Sequence, residues 1–227
     1  MAYLSQVQLR RSTSVSALIP LLLGDSQKGG NSDLPGHHLI WSLFADQNDR
    51  KRDFLWVELK VGKYLVLSKR IPTDHHRLFE VSQPKLFQPH IEEGDRLQFR
   101  LRANPVVRRR DPIENKLRKH DVVMEVLRNK SNRRSSRFEQ IRKQGILWLE
   151  RQGLKGGFEC HESEIRTEGY RQHVVSSKAK SPSLKFSTLE FEGVLTVTQP
   201  SAFLSSIVQG FGSSKSYGCG LMLIRRA

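Results

Sequence analysis

Apolar and polar residues alternate from Ala2 through Tyr3, Leu4, Ser5, Gln6, Val7 and Gln8 to Leu9, the period-two pattern of a half-buried strand. A stretch rich in Ser, Gly and Asn follows, ending near Leu34. Pro35 suits the first turn of a helix, with Ser32 or Asp33 placed to cap it. Leu39, Ile40, Leu43 and Phe44 then make one apolar helical stripe. Phe54 to Leu59 and Tyr64 to Ser68 read as two strands joined by a turn at Gly62-Lys63, before a short helix and a last strand ahead of Pro89.

After Gly94 the pattern restarts. Leu97 to Ala103 alternates strictly, with arginine on the outer face, and a basic loop leads to a helix from Arg137 to Gln152. Its core contacts are predicted at Phe138, Ile141, Ile146, Leu147 and Leu149. Phe158 to Ser163 and Leu189 to Val197 are the next strands, and Ser201 to Gln209 is a helix started by Pro200 and stopped by Gly210. Leu221 to Ile224 closes the sheet. The order β-α-β-β-α-β, with the first half compatible with the same order, predicts an α+β fold of two tandem ferredoxin-like (RRM-like, βαββαβ) domains, 1–90 and 91–227.

Charge narrows the partner. Among 227 residues, 38 Lys and Arg face 23 Asp and Glu, a formal net charge of +15. Such an excess favours a polyanion over an acidic small molecule. No run approaches the roughly 20 apolar residues of a spanning helix. Ala17 to Leu23 is short and broken by Pro20, and Gly24 to Gln27 offers no small-x-small cleavage site, so neither membrane nor secretion is expected. Cys160 and Cys219 form no Cys-x-x-Cys pair, so reduced thiols in the cytoplasm are expected.

The positive charge is concentrated. Fourteen Lys or Arg lie between Arg96 and Arg137, opposed only by Asp111, Glu114, Asp121 and Glu125. Arginine predominates, and its planar fork makes two-point contacts with phosphate oxygens. Arg108, Arg109, Arg110, Arg118, Lys119, Arg133 and Arg134 are therefore candidate contacts for a polyphosphate chain. If this cluster does not supply the groove, Lys178 to Lys185 and Lys215 are the next place to look.

The densest motif is the loop Gly210-Phe211-Gly212-Ser213-Ser214-Lys215-Ser216-Tyr217-Gly218-Cys219-Gly220. A P-loop needs glycine directly before the Lys-Ser pair, where Ser214 stands. A dinucleotide fingerprint would put its third glycine at Lys215 and follow a strand, not a helix. A backbone cradle for phosphate assisted by Lys215 remains, beside the plainer reading of a tight turn.

Gly210-Phe211-Gly212 through Lys215 to Gly218-Cys219-Gly220-Leu221 resembles the C-terminal glycine-rich signature of repeat-associated RNA-binding proteins. Phe99 to Pro105, Phe191 to Val197, Tyr3-Leu4-Ser5, and His37 through Trp41 to Phe44 are similar, in the same order, to segments of the CasE family. These are CRISPR-associated endoribonucleases of the Cascade complex. The likeness runs from Tyr3 to Arg226 and is loose at 10–35 and 106–190. It implies metal-independent cleavage of CRISPR precursor RNA within each repeat, with no cofactor. The upstream 2′-hydroxyl would attack the phosphodiester, leaving a 2′,3′-cyclic phosphate. It also implies retention of the repeat hairpin and partnership with other Cascade subunits.

The family's catalytic histidine falls on His37. At about 100° per residue, His38 lies opposite the apolar stripe and His37 at its edge beside Trp41 and Phe44. An imidazole titrates near neutrality, which suits proton transfer. Leu34 stands where the family often has tyrosine, and Ser42 where some relatives have a basic residue. Assistance would then come from Lys215, Tyr217 or an arginine of the basic segment, with Gly210 and Gly212 shaping the RNA-binding loop. His75-His76 and Cys160-His161 lack metal-ligand spacing, and Trp41, Trp56 and Trp148 read as core. The alternatives are a non-catalytic RNA-binding subunit and a general basic nucleic-acid scaffold.

Overall fold

The computed structural model describes residues 1–10, 36–45, 52–111, 114–128, 136–175 and 184–227. The expected helix cap at Ser32 or Asp33, Pro35, Leu34, Arg133 and Arg134 lie outside them. Two antiparallel sheets dominate. The first is built from β1 (Tyr3–Leu9), β2 (Phe54–Lys60), β3 (Lys63–Ser68), β4 (Phe79–Val81) and β5 (Lys85–Leu86), in the order β2-β3-β1-β4 with β5 also on β1. The second contains β6 (Arg96–Ala103), β9 (Phe158–Glu159), β10 (Ile165–Val175), β11 (Leu184–Val197) and β12 (Met222–Arg226), ordered β10-β11-β6-β12 with β9 on β11. Between β6 and the helices, β7 (Val106–Arg110) and β8 (Leu117–Asp121) form a separate two-stranded hairpin. Both sheets have the strand order of a ferredoxin-like unit, and the fold is two such units in tandem.

Helix α1 (Gly36–Ser42) lays Leu39 and Ile40 onto the first sheet, and Leu43 and Phe44 just beyond it are buried with them. Strand alternation gives the first sheet two buried faces. Phe54 and Trp56 join the core under α1, whereas Leu55, with Ala2 and Leu67, belongs to the core of the second unit. In that unit α2 (Val122–Arg128), α3 (Arg137–Gly156) and α4 (Pro200–Gln209) accompany the sheet, with Leu101, Trp148, Leu149, Phe191 and Phe203 at its centre. Ser136 and Glu139 form a reciprocal capping box at the start of α3, and Gly157 ends it in the left-handed region.

Four sequence expectations change. Between β3 and β4 the described chain makes turns rather than a short helix, because Asp74 accepts the backbone N–H groups of Leu78 and Phe79 and Arg77 takes positive φ. Among the described residues, the basic loop instead holds the β7–β8 hairpin and α2. The strand expected at Phe158 to Ser163 is only two residues long, and the long partner of β11 is β10. Phe138 and Leu147, expected in the core, are exposed on α3.

Candidate active site

Position 37 is set by a close approach of backbone to indole. Gly36 is buried at the start of α1, where a Cβ would stand 2.4 Å from the Trp56 ring. Near the same ring atoms, Gly218 turns the glycine-rich loop with φ of +75°, its Cβ position 3.1 Å from the indole. Only glycine gives both the left-handed turn and the clearance. Trp56 thereby contacts both the helix that carries His37 and the loop between α4 and β12.

Both rings converge on one backbone carbonyl. Trp56 Nε1–H donates to the Ser216 oxygen at 3.1 Å, and His37 Nδ1 lies 2.9 Å from the same oxygen. A carbonyl can only accept, so His37 holds its proton on Nδ1 and leaves the Nε2 lone pair free in the neutral ring. Tyr217 stacks on the imidazole with centroids 4.7 Å apart and planes 22° apart. Trp41 meets it edge-on at 6.0 Å. Burial lowers the His37 pKa below the ordinary 6.5, the Ser216 hydrogen bond opposes this, and His38 lowers it further. The expectation of a half-buried His37 beside an exposed His38 holds.

The loop owes its shape to the strand motif before it. Asn104, at the end of β6, donates from Nδ2 to the hydroxyls of Ser213 (3.2 Å) and Ser214 (2.7 Å). The Gly220 N–H reaches the Arg102 carbonyl at 2.7 Å. Gly210 and Gly212 face Leu55 and Trp148, so their missing side chains admit protein neighbours. Lys215 Nζ donates to the Gln209 carbonyl at 2.8 Å, tying the loop to the end of α4. Its pKa is lowered by burial and by Arg52. Beyond Tyr217 the aromatic contacts continue to Phe186 at 5.1 Å, and from there to His173 at 4.9 Å.

Of the basic candidates, Arg108, Arg109, Arg110, Arg118 and Lys119 all lie on the β7–β8 hairpin and are exposed. The structure brings Tyr217 to His37 directly, whereas Lys215 turns back to the Gln209 carbonyl. Trp56, the Ser216 carbonyl and Phe186 complete the setting and carry no sequence signal beyond the burial of Trp56. No group of three or more metal-ligating side chains occurs among the described residues.

A family model described as CRISPR associated protein matches residues 2–226. The CRISPR system Cascade subunit CasE of Escherichia coli K12 is 31% identical over 191 residues, covering 82% of this chain and 88% of that one. The chain belongs to the CasE family. The CRISPR-associated endoribonuclease Cse3 of Thermus thermophilus is 28% identical over 153 residues, covering 64% of this chain and 63% of that one. Among solved structures, the CRISPR-associated protein Cas6e from E. coli K-12 is similar with a TM-score of 0.61 and 26% identity, over 99% of this chain and 100% of that one.

Proposed function

We propose that this CasE-family protein is the endoribonuclease that cuts CRISPR precursor RNA within its repeats and stays on the repeat hairpin as a Cascade subunit. The observation that carries the mechanism is the Ser216 carbonyl holding His37 Nδ1–H, which leaves Nε2 as the proton acceptor. Burial keeps that nitrogen unprotonated at neutral pH. Nε2 takes the proton of the upstream 2′-hydroxyl, and the oxygen attacks the adjacent phosphorus. The bond from phosphorus to the 5′-oxygen breaks, and a 2′,3′-cyclic phosphate forms. The proton returns from Nε2 to the departing 5′-oxygen, giving a 5′-hydroxyl and restoring the enzyme. No water is consumed and the nucleophile belongs to the RNA, so the scheme requires no metal.

The basic segment supports RNA binding by sheer charge. We assign this segment as a whole, with the loop around Gly210, Gly212, Lys215 and Tyr217, to the part of the protein that holds the repeat RNA, and divide the units near residue 90. No described helix is long and apolar enough to cross a membrane, and the reading places the work in the cytoplasm with other Cascade subunits.

Labelled repeat RNA in single-turnover cleavage tests this reading. His37→Ala is expected to lose about 100- to 10,000-fold in rate, the contribution of one acid–base group, while hairpin binding stays near normal. A chelator is expected to change nothing. Near-native cleavage by the variant, or loss in EDTA reversed by a divalent metal, would refute the scheme.

A further inference from the structure

The β7–β8 hairpin has two chemically different faces. Its register sets Arg108 opposite Lys119 and Arg109 opposite Arg118. Directly opposed residues share a face with Cβ atoms about 5 Å apart, where like charges repel. On one face that repulsion is answered within the protein. Arg109 pairs with Glu125 of α2, and Arg118 pairs with Glu114 and Asp111. On the other face, Arg108 and Lys119 have no acidic partner among the described residues. Arg110, two residues from Arg108, bonds to the neutral Asn115 side chain.

The uncompensated face is rigidly based. Trp148 Nε1–H donates to the Val106 carbonyl at 3.1 Å, and the Val122 N–H donates to Pro105 at 3.1 Å. It also borders a cleft of about 600 Å³ that includes Lys119, Arg128, Lys185, Phe186, Ser213 and Ser214. Arg128 and Lys185 likewise lack acidic partners among the described residues. The acids at this cleft are already engaged. Asp121 accepts from Tyr170, Ser187 and the backbone of Val123 and Met124, and Glu125 is held by Arg109. Phe186 on the wall touches Tyr217, which stacks on His37. A track of free cations therefore leads away from the reacting centre.

We propose that this cleft and the Arg108–Lys119 face take the sugar–phosphate backbone of the RNA strand adjoining the scissile phosphate, whereas Arg109 and Arg118 brace the hairpin. This rests on the endoribonuclease reading and divides the basic segment into contacting and bracing residues. Rows of cations without acidic partners, two of them arginines able to bind phosphate in two-point fashion, fit a polyphosphate chain better than an apolar or basic protein surface.

The test uses the full-length protein and repeat-hairpin RNA made uncleavable by a 2′-deoxy substitution at the reacting nucleotide. Binding is titrated at several salt concentrations. Each phosphate contact adds about 0.7 to 0.9 to the slope of log affinity against log salt. The pair Arg108→Gln and Lys119→Gln should flatten the slope by about 1.5. The pair Arg109→Gln and Arg118→Gln should leave it unchanged. In the native protein, which avoids any folding defect, RNA should shield Lys119 from acetylation but not Lys116, which pairs with Glu114 near the hairpin tip. Equal flattening by both pairs, or Lys119 acetylated alike with and without RNA, overturns the proposal. An unchanged slope in the first pair does so too, and assigns that face to another protein subunit. Failure of the native enzyme to cleave unmodified repeat RNA would instead overturn the parent reading.

Discussion

Replacing Tyr217 by alanine should raise the pH at which cleavage sets in. The Tyr217 ring covers one face of the His37 imidazole at 4.7 Å, and the histidine's lowered pKa comes first from burial. Removing the ring admits water to that face, so the imidazolium is better solvated and the pKa climbs back toward 6.5. A base works only when unprotonated. The rate should therefore rise with pH in both proteins, with the midpoint of the variant displaced upward. Loss of a stacked aromatic contact removes about 1 kcal/mol of positioning, or about fivefold in rate on the high-pH plateau. Below the midpoint the loss deepens, because less of the variant is in the active form. Tyr217→Phe keeps the stacked ring and should keep the native midpoint. Single-turnover rates from about pH 5 to 8, spanning the ordinary histidine range, decide the matter. A midpoint that stays fixed or falls in Tyr217→Ala would refute the claim that this ring desolvates His37.

Gly36→Ala should cut cleavage more than RNA affinity, since its Cβ would collide with the Trp56 ring and tilt the helix turn that carries His37. Parallel rate and filter-binding measurements check this. Stability should fall as pH drops below 6.5, because His37 and His173 both have lowered pKa values and the unfolded chain binds their protons first. Thermal melts at about pH 7.5, 6.5 and 5.5 report it, and the double variant His37→Gln and His173→Gln should show a weaker dependence across that range.

Elements whose stability comes from one apolar face were legible in the chain. The stripe of α1 and the alternation of β6 follow from side-chain periodicity, and the ends of α4 from the backbone preferences of Pro200 and Gly210. Strand β10 was hidden because its residues Arg166, Glu168, Arg171 and Gln172 look polar throughout, and what makes them a strand is the ladder along β11. The β7–β8 hairpin was hidden for a related reason. Its residues are charged, and its order comes from a tryptophan N–H on Val106 and the Asp121 carboxylate at the start of α2. At the proposed reacting centre, His37 and Tyr217 could be named from the sequence, but their meeting could not. The acceptor that orients the imidazole is a main-chain oxygen 179 residues away, and a carbonyl leaves no mark on the amino-acid identity of Ser216.

That distance along the chain makes cleavage a reporter of how the two units are docked. The histidine and its orienting oxygen are assembled by Trp56, and next to it Leu55 packs against Gly210. A screen for substitutions that abolish cutting while sparing RNA capture should thus recover seam positions such as Leu55 and Gly210 alongside the proton-transfer group. In such a collection, loss of activity would mark misalignment as often as missing chemistry, and proximity to the phosphate would be a poor guide to which is which.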